Sequence, residues 1–259
     1  MVRDNRSMTD DDLLRYSRHL LLEEIGVEGQ ERIASTHVLV IGAGGLGSPV
    51  ALYLGTAGIG RLTLVDPDVV DVTNLQRQIA HAMQRVGQPK AESARTAIAQ
   101  LNPQVQVDAV VARADATSLD RLVAQADIVV DCCDNFATRQ AVNAACVRHA
   151  RPLVSGAAIR FDGQLSVFDT RDRQAPCYAC VFPADSAPEE TRCATMGVFA
   201  PLVGIIGAMQ AAEVLKLASG AGTPLVAQLL LLDARTMEWT RLRTPRRARC
   251  PVCGHRPPS

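Results

Sequence analysis

Residues 37–51 read His37-Val38-Leu39-Val40-Ile41-Gly42-Ala43-Gly44-Gly45-Leu46-Gly47-Ser48-Pro49-Val50-Ala51. A short β-branched and apolar run breaks into glycines and resumes as an apolar segment of helical character, so the stretch predicts strand, tight turn and helix in that order. Glycine lets the chain turn sharply and lets backbone N–H groups approach an anion at the positive end of the following helix. A second apolar run, residues 62–65, ends at Asp66. A carboxylate about twenty residues beyond such a turn is placed to accept hydrogen bonds from ribose hydroxyls. Gly42, Gly44, Gly45, Gly47 and Asp66 therefore predict a nucleotide held by its phosphates. By itself this pattern favours NAD over ATP and leaves both open.

Working outward, strand-like and helical segments alternate. Helices are expected near 90–101, 119–125 and 136–149, and strands near 105–110, 128–130 and 153–154. Such alternation predicts a parallel, doubly wound sheet. Past Gly156 the rhythm changes: residues 158–161 and 164–168 are strand-like and Asp162-Gly163 between them signals a hairpin. The fold class expected is thus α/β, a Rossmann-like sheet that is parallel in its N-terminal part and mixed or antiparallel in its C-terminal part. A helix over residues 198–217 and a strand over 226–232 follow a Pro- and acid-rich loop at 183–191. Upstream, Thr9 before Asp10, Asp11 and Asp12 opens a first helix that carries Leu13, Leu14, Tyr16, Leu20 and Leu21. The division expected is an N-terminal helical segment, residues 1–30, and a single domain, residues 31–259.

Composition narrows the partners. The chain has 259 residues, 47% of them apolar, with 27 basic and 27 acidic side chains. That balance provides no global field toward nucleic acid or an anionic membrane. The longest apolar stretch is interrupted by Pro201, Gly204, Gln210, Glu213 and Lys216 and reads as a buried helix, not a span. With no export signal at the start, cytoplasm is the expected compartment and thiols are expected to bind metal or react more than to form disulfides.

Cations near the expected phosphates tilt the reading toward ATP. Asp68 follows Asp66, and the string Asn74-Leu75-Gln76-Arg77-Gln78 comes next, with Lys90 in Gly87-Gln88-Pro89-Lys90. Hydride transfer has little use for cations there. A carboxylate attacking an α-phosphate builds negative charge that Arg77 and Lys90 can stabilise. Asp131-Cys132-Cys133-Asp134-Asn135 ends a further strand, and Asp134 suits Mg²⁺ bridging phosphates. Capping a helix is the alternative task for Asp134 and Asn135.

These motifs, with Arg15-Tyr16-Ser17-Arg18, Ser155-Gly156-Ala157-Ala158-Ile159-Arg160 and four paired cysteines, resemble the MoeB/ThiF/HesA family, bacterial relatives of ubiquitin-activating enzymes. The resemblance runs from near residue 15 to residue 253. It implies an adenylyltransferase that joins AMP from ATP to the C-terminal glycine of a small β-grasp, ubiquitin-like sulfur carrier and releases pyrophosphate. It further implies that Gly44 backs the phosphates, that Asp66 holds the ribose, that Asn74, Arg77 and Lys90 contact phosphates, and that Asp134 is the acidic residue near Mg²⁺. Arg18 matches an arginine that reaches the nucleotide of a neighbouring subunit, which implies a homodimer. Within the family, residues 155–160 lean toward the molybdopterin branch with its MoaD-like carrier. Ala137-Thr138-Arg139-Gln140 also suits the thiamine branch with a ThiS-like carrier. No rhodanese-like extension follows Cys253, so a separate sulfur donor is expected.

Cys177-x-x-Cys180 and Cys250-x-x-Cys253 form two metal-ligand knuckles, and four thiolates predict a closed, structural Zn²⁺ site that pins the C-terminal tail. Two disulfides are the alternative. Cys193, beside Arg192, matches by resemblance a cysteine engaged in sulfur transfer or thioester formation, and inertness is its other reading. Cys132, Cys133 and Cys146 read as core. An NAD-dependent oxidoreductase is the competing enzyme class, and a nucleotide-responsive docking platform is the non-catalytic one.

Overall fold

The computed structural model describes residues 8–184 and 196–255. Thr9 caps α1 (Asp10–Arg15): its hydroxyl accepts the Asp12 N–H while the Asp12 carboxylate accepts the Thr9 N–H. The single first helix expected here ends at Tyr16 and restarts as α2 (Ser17–Leu20). Tertiary contacts cause the break. The Tyr16 ring is buried over Gly58, where a Cβ would stand 2.4 Å from the ring, and its hydroxyl accepts Asn102 Nδ2–H at 2.9 Å. α3 (Gly26–Ser35) carries fully buried Ile33 into the core, so residue 30 lies within a helix.

β1 (His37–Ile41), α4 (Gly47–Thr56), β2 (Arg61–Val65), α5 (Lys90–Leu101), β3 (Gln106–Val110), α6 (Ala116–Gln125), β4 (Ile128–Asp131), α7 (Phe136–His149) and β5 (Leu153–Ile159) form the alternating half. The sheet has eight strands in the order β3-β2-β1-β4-β5-β6-β7-β8, completed by β6 (Asp162–Phe168), β7 (Gln228–Asp233) and β8 (Glu238–Arg243). β3, β2, β1, β4 and β5 are mutually parallel, and β5 through β8 are antiparallel. This is the Rossmann-like sheet with a mixed C-terminal part.

Parallel strands covered on both faces need apolar residues on both, and β1 supplies them. Val38 and Val40 join the core under α3, α4 and α5, while Leu39 and Ile41 join the one under α6 and α7. α8 (Tyr178–Val181) adds Tyr178 to the second core. α9 (Ala200–Ser219) lies against α4, β5 and β6. By length and composition α9 could cross a membrane, yet its apolar face fills the first core with Leu202, Ile206 and Val214.

Two expectations shift. The β5–β6 turn is Arg160-Phe161, since Ile159 pairs with Asp162 and Arg160 adopts φ 52°. Asp162-Gly163 instead lies inside β6, because α9 packs on that strand so closely that a Cβ on Gly163 would stand 2.8 Å from Ile206. β8 was not expected at all: each of its residues is exposed, so it has no apolar alternation.

Candidate functional site

β1 has β2 on one side and β4 on the other, with Ile41 opposite both Val65 and Asp131. Strand order reverses here, and open α/β sheets bind ligands in the crevice beyond such a switch point. Three predicted segments therefore leave the sheet side by side: the glycine turn, Asp66, and residues 132–134.

The glycines differ in what they do. Gly42 has φ 97°, and its Cβ would stand 2.7 Å from the Cys132 carbonyl oxygen. At Gly47 a Cβ would overlap the Gly42 oxygen at 1.9 Å, and at Gly45 it would press on Val203 at 3.3 Å. Gly44 is unlike them: its only neighbours within 4 Å are atoms of the Gln78 amide, the nearer at 3.6 Å, and its φ is not left-handed. Packing explains Gly42, Gly45 and Gly47. It does not explain Gly44, which faces open space. Among the described residues, the N–H groups of Gly44, Gly45 and Leu46 have no acceptor, and all three precede the first turn of α4. Free N–H groups at a helix start suit a phosphate.

Asp66 is buried and braces this turn. Its Oδ2 accepts the Ala43 N–H at 2.7 Å and its Oδ1 the Asp68 N–H at 2.8 Å. Burial pushes its carboxyl above the usual range, against those two hydrogen bonds and the charge of Lys90. Each oxygen keeps a second lone pair. Lys90, buried at the start of α5, places Nζ 2.9 Å from the exposed Asp68 carboxylate. Asn74 closes a 3₁₀ turn, Val72–Asn74, by accepting the Asp71 N–H. Arg77 is half-buried, and its guanidinium donates to the Thr73 carbonyl at 3.2 Å. Gln78 is buried beside Gly44, and among the described residues neither its Oε1 nor the buried Ser48 hydroxyl in α4 has a hydrogen-bond partner. Unpaired N–H groups and a hydroxyl suit phosphate oxygens, and an unpartnered amide oxygen suits a ligand hydroxyl, a donor and acceptor set that fits a nucleotide.

Asp134 is exposed and makes no hydrogen bond or ion pair with the described residues, whereas Asn135 caps α7 by accepting the Thr138 N–H at 2.9 Å. The capping task therefore belongs to Asn135 and leaves the Asp134 carboxylate available. The chain leading to Asp134 is held from beneath by groups to which their sequence motifs assign no such role. Arg139 Nη2 donates to the Cys133 carbonyl at 2.6 Å, and Nη1 lies 3.7 Å from the buried Asp131 carboxylate. Ser155 donates to that carboxylate at 2.9 Å, and Gln210 of α9 to the Asp131 carbonyl at 2.8 Å. Those of Ser155 and Gln210 cross 24 and 79 residues, and those of Arg139 cross from α7 back to the end of β4, so no motif spacing announces them.

Arg18 is not brought to this turn. It is exposed on α2, beside Tyr53 and Thr56 at the C-terminal end of α4, around a hollow of about 200 Å³. The glycine turn is at the other end of that helix, roughly 15 Å along the axis for its ten residues.

Cys177, Cys180, Cys250 and Cys253 converge as a buried cluster with all four sulfurs within 4.8 Å of one another. Separations of 3.5, 3.7 and 4.0 Å match the roughly 3.8 Å of tetrahedral thiolates about 2.3 Å from a metal. They do not match disulfide bonds of about 2.05 Å. The Arg247 N–H donates to Cys180 Sγ and Asn143 Nδ2–H to Cys177 Sγ, as outer-shell donors to thiolates do. This cluster can hold a metal. Cys132, Cys133 and Cys146 are buried in the core, while Cys193, with Arg192, lies outside the described residues.

Residues 16–252 match the ThiF family model. The chain is 44% identical to the sulfur carrier protein ThiS adenylyltransferase of Escherichia coli (strain K12), over 95% of this chain and 97% of that protein. It is 42% identical to the molybdopterin-synthase adenylyltransferase of the same organism, over 95% and 98%. It is also 46% identical to the adenylyltransferase and sulfurtransferase MOCS3 of Danio rerio, of which it spans only 56%. Among solved structures, E. coli MccB with ATP superposes with a TM-score of 0.81 at 26% identity, covering 93% of this chain and 74% of that one.

Proposed function

The chain belongs to the ThiF family, and on that premise we propose that it adenylylates the C-terminal glycine of a small ubiquitin-like sulfur carrier of the MoaD type, using ATP. One observation carries this reading: at the sheet's switch point, the open Gly44 turn stands beside an uncommitted carboxylate, Asp134, with Arg77 and Lys90 in the adjoining segment. The carrier carboxylate is already ionised at neutral pH, so no general base is needed. Its oxygen bonds to the α-phosphorus, the bond from that phosphorus to the bridging oxygen breaks, and pyrophosphate departs with the electron pair.

Gly44, Gly45 and Gly47 form the phosphate turn at the start of α4, with Gly42 fixing its entry. Asp66 holds the turn and offers its remaining lone pairs to ribose. Asn74, Arg77 and Lys90 meet the phosphates, Asp68 sets the Lys90 ammonium, and Asp134 would hold Mg²⁺, which supplies charge neutralisation when bound. Catalysis is then positioning and electrostatic stabilisation. The distance of Arg18 from its own glycine turn supports a homodimer in which it serves the neighbouring site. Zn²⁺ fits the four-cysteine cluster and would tie the tail to the core as a closed structural site. On this reading the expected division between residues 1–30 and 31–259 marks a difference of role within one adenylation domain, since α3 runs across it. The enzyme works in the cytoplasm, and a separate protein donates sulfur, with Cys193 as the thiol for any transfer through this chain.

Incubation with ATP·Mg²⁺, labelled pyrophosphate and a MoaD-like carrier tests the reading, and label should enter ATP. The comparable identity to the ThiS enzyme favours a second carrier, so a ThiS-like protein is tested in parallel, and the faster exchange assigns the pathway. Thermal stabilisation by NAD alone, with none by ATP, would favour an oxidoreductase. Carrier binding without exchange would leave only a docking platform.

A further inference from the structure

We infer that His81 is a positioning residue for the nucleotide: by holding the Ala43 carbonyl, it sets the direction of the Gly44 N–H. His81 is buried in the loop between β2 and α5, with Nε2 2.9 Å from the Ala43 oxygen and Nδ1 2.9 Å from Ser93 Oγ. A carbonyl only accepts, so Nε2 carries a proton. In the neutral ring Nδ1 then accepts the Ser93 hydroxyl, whose oxygen in turn accepts Arg85 Nε–H at 2.9 Å. The Arg85 guanidinium is itself fixed by donating Nη2–H to the Ala80 carbonyl at 2.9 Å. Burial, with Lys90 and Arg85 nearby, lowers the imidazole pKa and agrees with the neutral ring, although the Ala43 hydrogen bond opposes that shift. An arginine, a serine and a histidine thus form one directional chain that ends on the glycine turn.

What the chain accomplishes follows from peptide geometry. The Ala43–Gly44 bond is trans, so its C=O and N–H lie on opposite edges of one plane. Anchoring the oxygen to His81 aims the N–H the other way. The preceding peptide is anchored independently, through the Ala43 N–H and Asp66 Oδ2 at 2.7 Å. Ala43 is therefore pinned on both sides, immediately before a glycine whose own carbonyl is held further on by the Ser48 N–H at 2.9 Å. On the side where a Cβ would stand, Gly44 has only the Gln78 amide near it. The Gly44 N–H, unpaired within the described residues, shares its peptide plane with the Ala43 carbonyl, and His81 is the group that holds that plane.

This inference rests on the adenylylation reading for the identity of the ligand, ATP, and two variants separate positioning from a merely structural part. His81→Gln places an amide nitrogen near the Nε2 position and keeps the Ala43 contact. His81→Asn places its amide near Nδ1, keeps Ser93 and releases Ala43. In ATP–pyrophosphate exchange, the Asn variant should raise the KM for ATP about tenfold over the Gln variant, the loss of roughly one net hydrogen bond, with kcat within threefold. Calorimetric titration with ATP·Mg²⁺ should show the same ratio in Kd. Equal KM values for the two folded variants, or a change in kcat alone, would overturn the inference. Should neither fold, Ser93→Ala decides: it frees the ring to turn and should raise KM about threefold, and an unchanged KM would overturn it. The titration needs no carrier. Absence of exchange with every carrier would therefore sink adenylylation and still leave His81 to be judged.

Discussion

Gly44→Ala and Gly47→Ala separate a glycine required by the ligand from one required by the fold. At Gly47 a Cβ would stand 1.9 Å from the backbone oxygen of Gly42 and 2.8 Å from its carbonyl carbon, and neither can swing away. Overpacking of that kind costs about 3 kcal/mol, which for a chain of this size lowers Tm by about 6–12 °C. At Gly44 a Cβ finds only the Gln78 amide at 3.6 Å, ordinary contact, and the backbone is not left-handed. There alanine reduces unfolded-chain entropy and should leave the ligand-free protein unchanged or stabilise it by about 0.4–1 kcal/mol, roughly 1–4 °C. The same methyl occupies the space in which phosphate oxygens meet the N–H groups of Gly44 and Gly45. Losing two hydrogen bonds to a charged group, about 1.5–3 kcal/mol each, weakens ATP at least about 100-fold. Differential scanning fluorimetry with and without ATP·Mg²⁺ reads both effects. Gly44→Ala should melt at or above the parent temperature and show no ATP shift, whereas Gly47→Ala should melt low. An ATP shift retained in Gly44→Ala, or a ligand-free Tm that falls as far as that of Gly47→Ala, would refute the assignment of the turn.

Three further outcomes follow from other parts of the structure. Replacing Arg139 by leucine leaves the buried Asp131 carboxylate without its guanidinium and the Cys133 carbonyl without its donor. Urea unfolding should show a loss of about 3–5 kcal/mol, and a loss below 1 kcal/mol would argue against that network. Cys250→Ser should drop bound zinc from one equivalent per chain to less than half, measured by atomic absorption after dialysis, and increase proteolysis near residue 250. Full zinc retention would contradict the four-thiolate site. The imidazoles of His81 and His37 both titrate below 6.5, chiefly through burial. Between their folded and unfolded pKa values the unfolded chain binds more protons, so this stability is complete above about pH 6.5 and is lost as pH falls through the lower folded values. Unfolding free energy should therefore decline from pH 7 to 5, and His81→Gln should flatten the decline. An unchanged slope would show that His81 does not contribute.

How far the sequence discloses this molecule depends on the range of the interactions involved. β1, the glycine turn and α4 are legible because strand and helix periods abut directly. α5 and α7 occupy their expected bounds because a proline or a cap marks where each begins. Tyr16 interrupts the first helix through Asn102 and Gly58, which are remote in sequence, and β8 lacks the buried face that would announce it. The Asp162-Gly163 hairpin signal misplaced its turn because Gly163 answers to the packing of α9, not to the turn. The site divides in the same way. Gly44, Asp66, Arg77, Lys90 and Asp134 stand in short motifs. The groups that aim them, His81, Ser93, Arg139 and Gln210, are joined only by tertiary contacts.

ATP–pyrophosphate exchange reads out whether ATP is consumed here by the carboxylate of a carrier protein. With ATP·Mg²⁺ and a MoaD-like or ThiS-like carrier ending in its intact C-terminal glycine, labelled pyrophosphate should enter ATP. Label should not enter when that glycine is deleted, nor when Asp134 or Arg77 is replaced by alanine in a folded protein. Exchange that proceeds without a carrier, or that survives Asp134→Ala and Arg77→Ala undiminished, would overturn adenylylation of a carrier at this site.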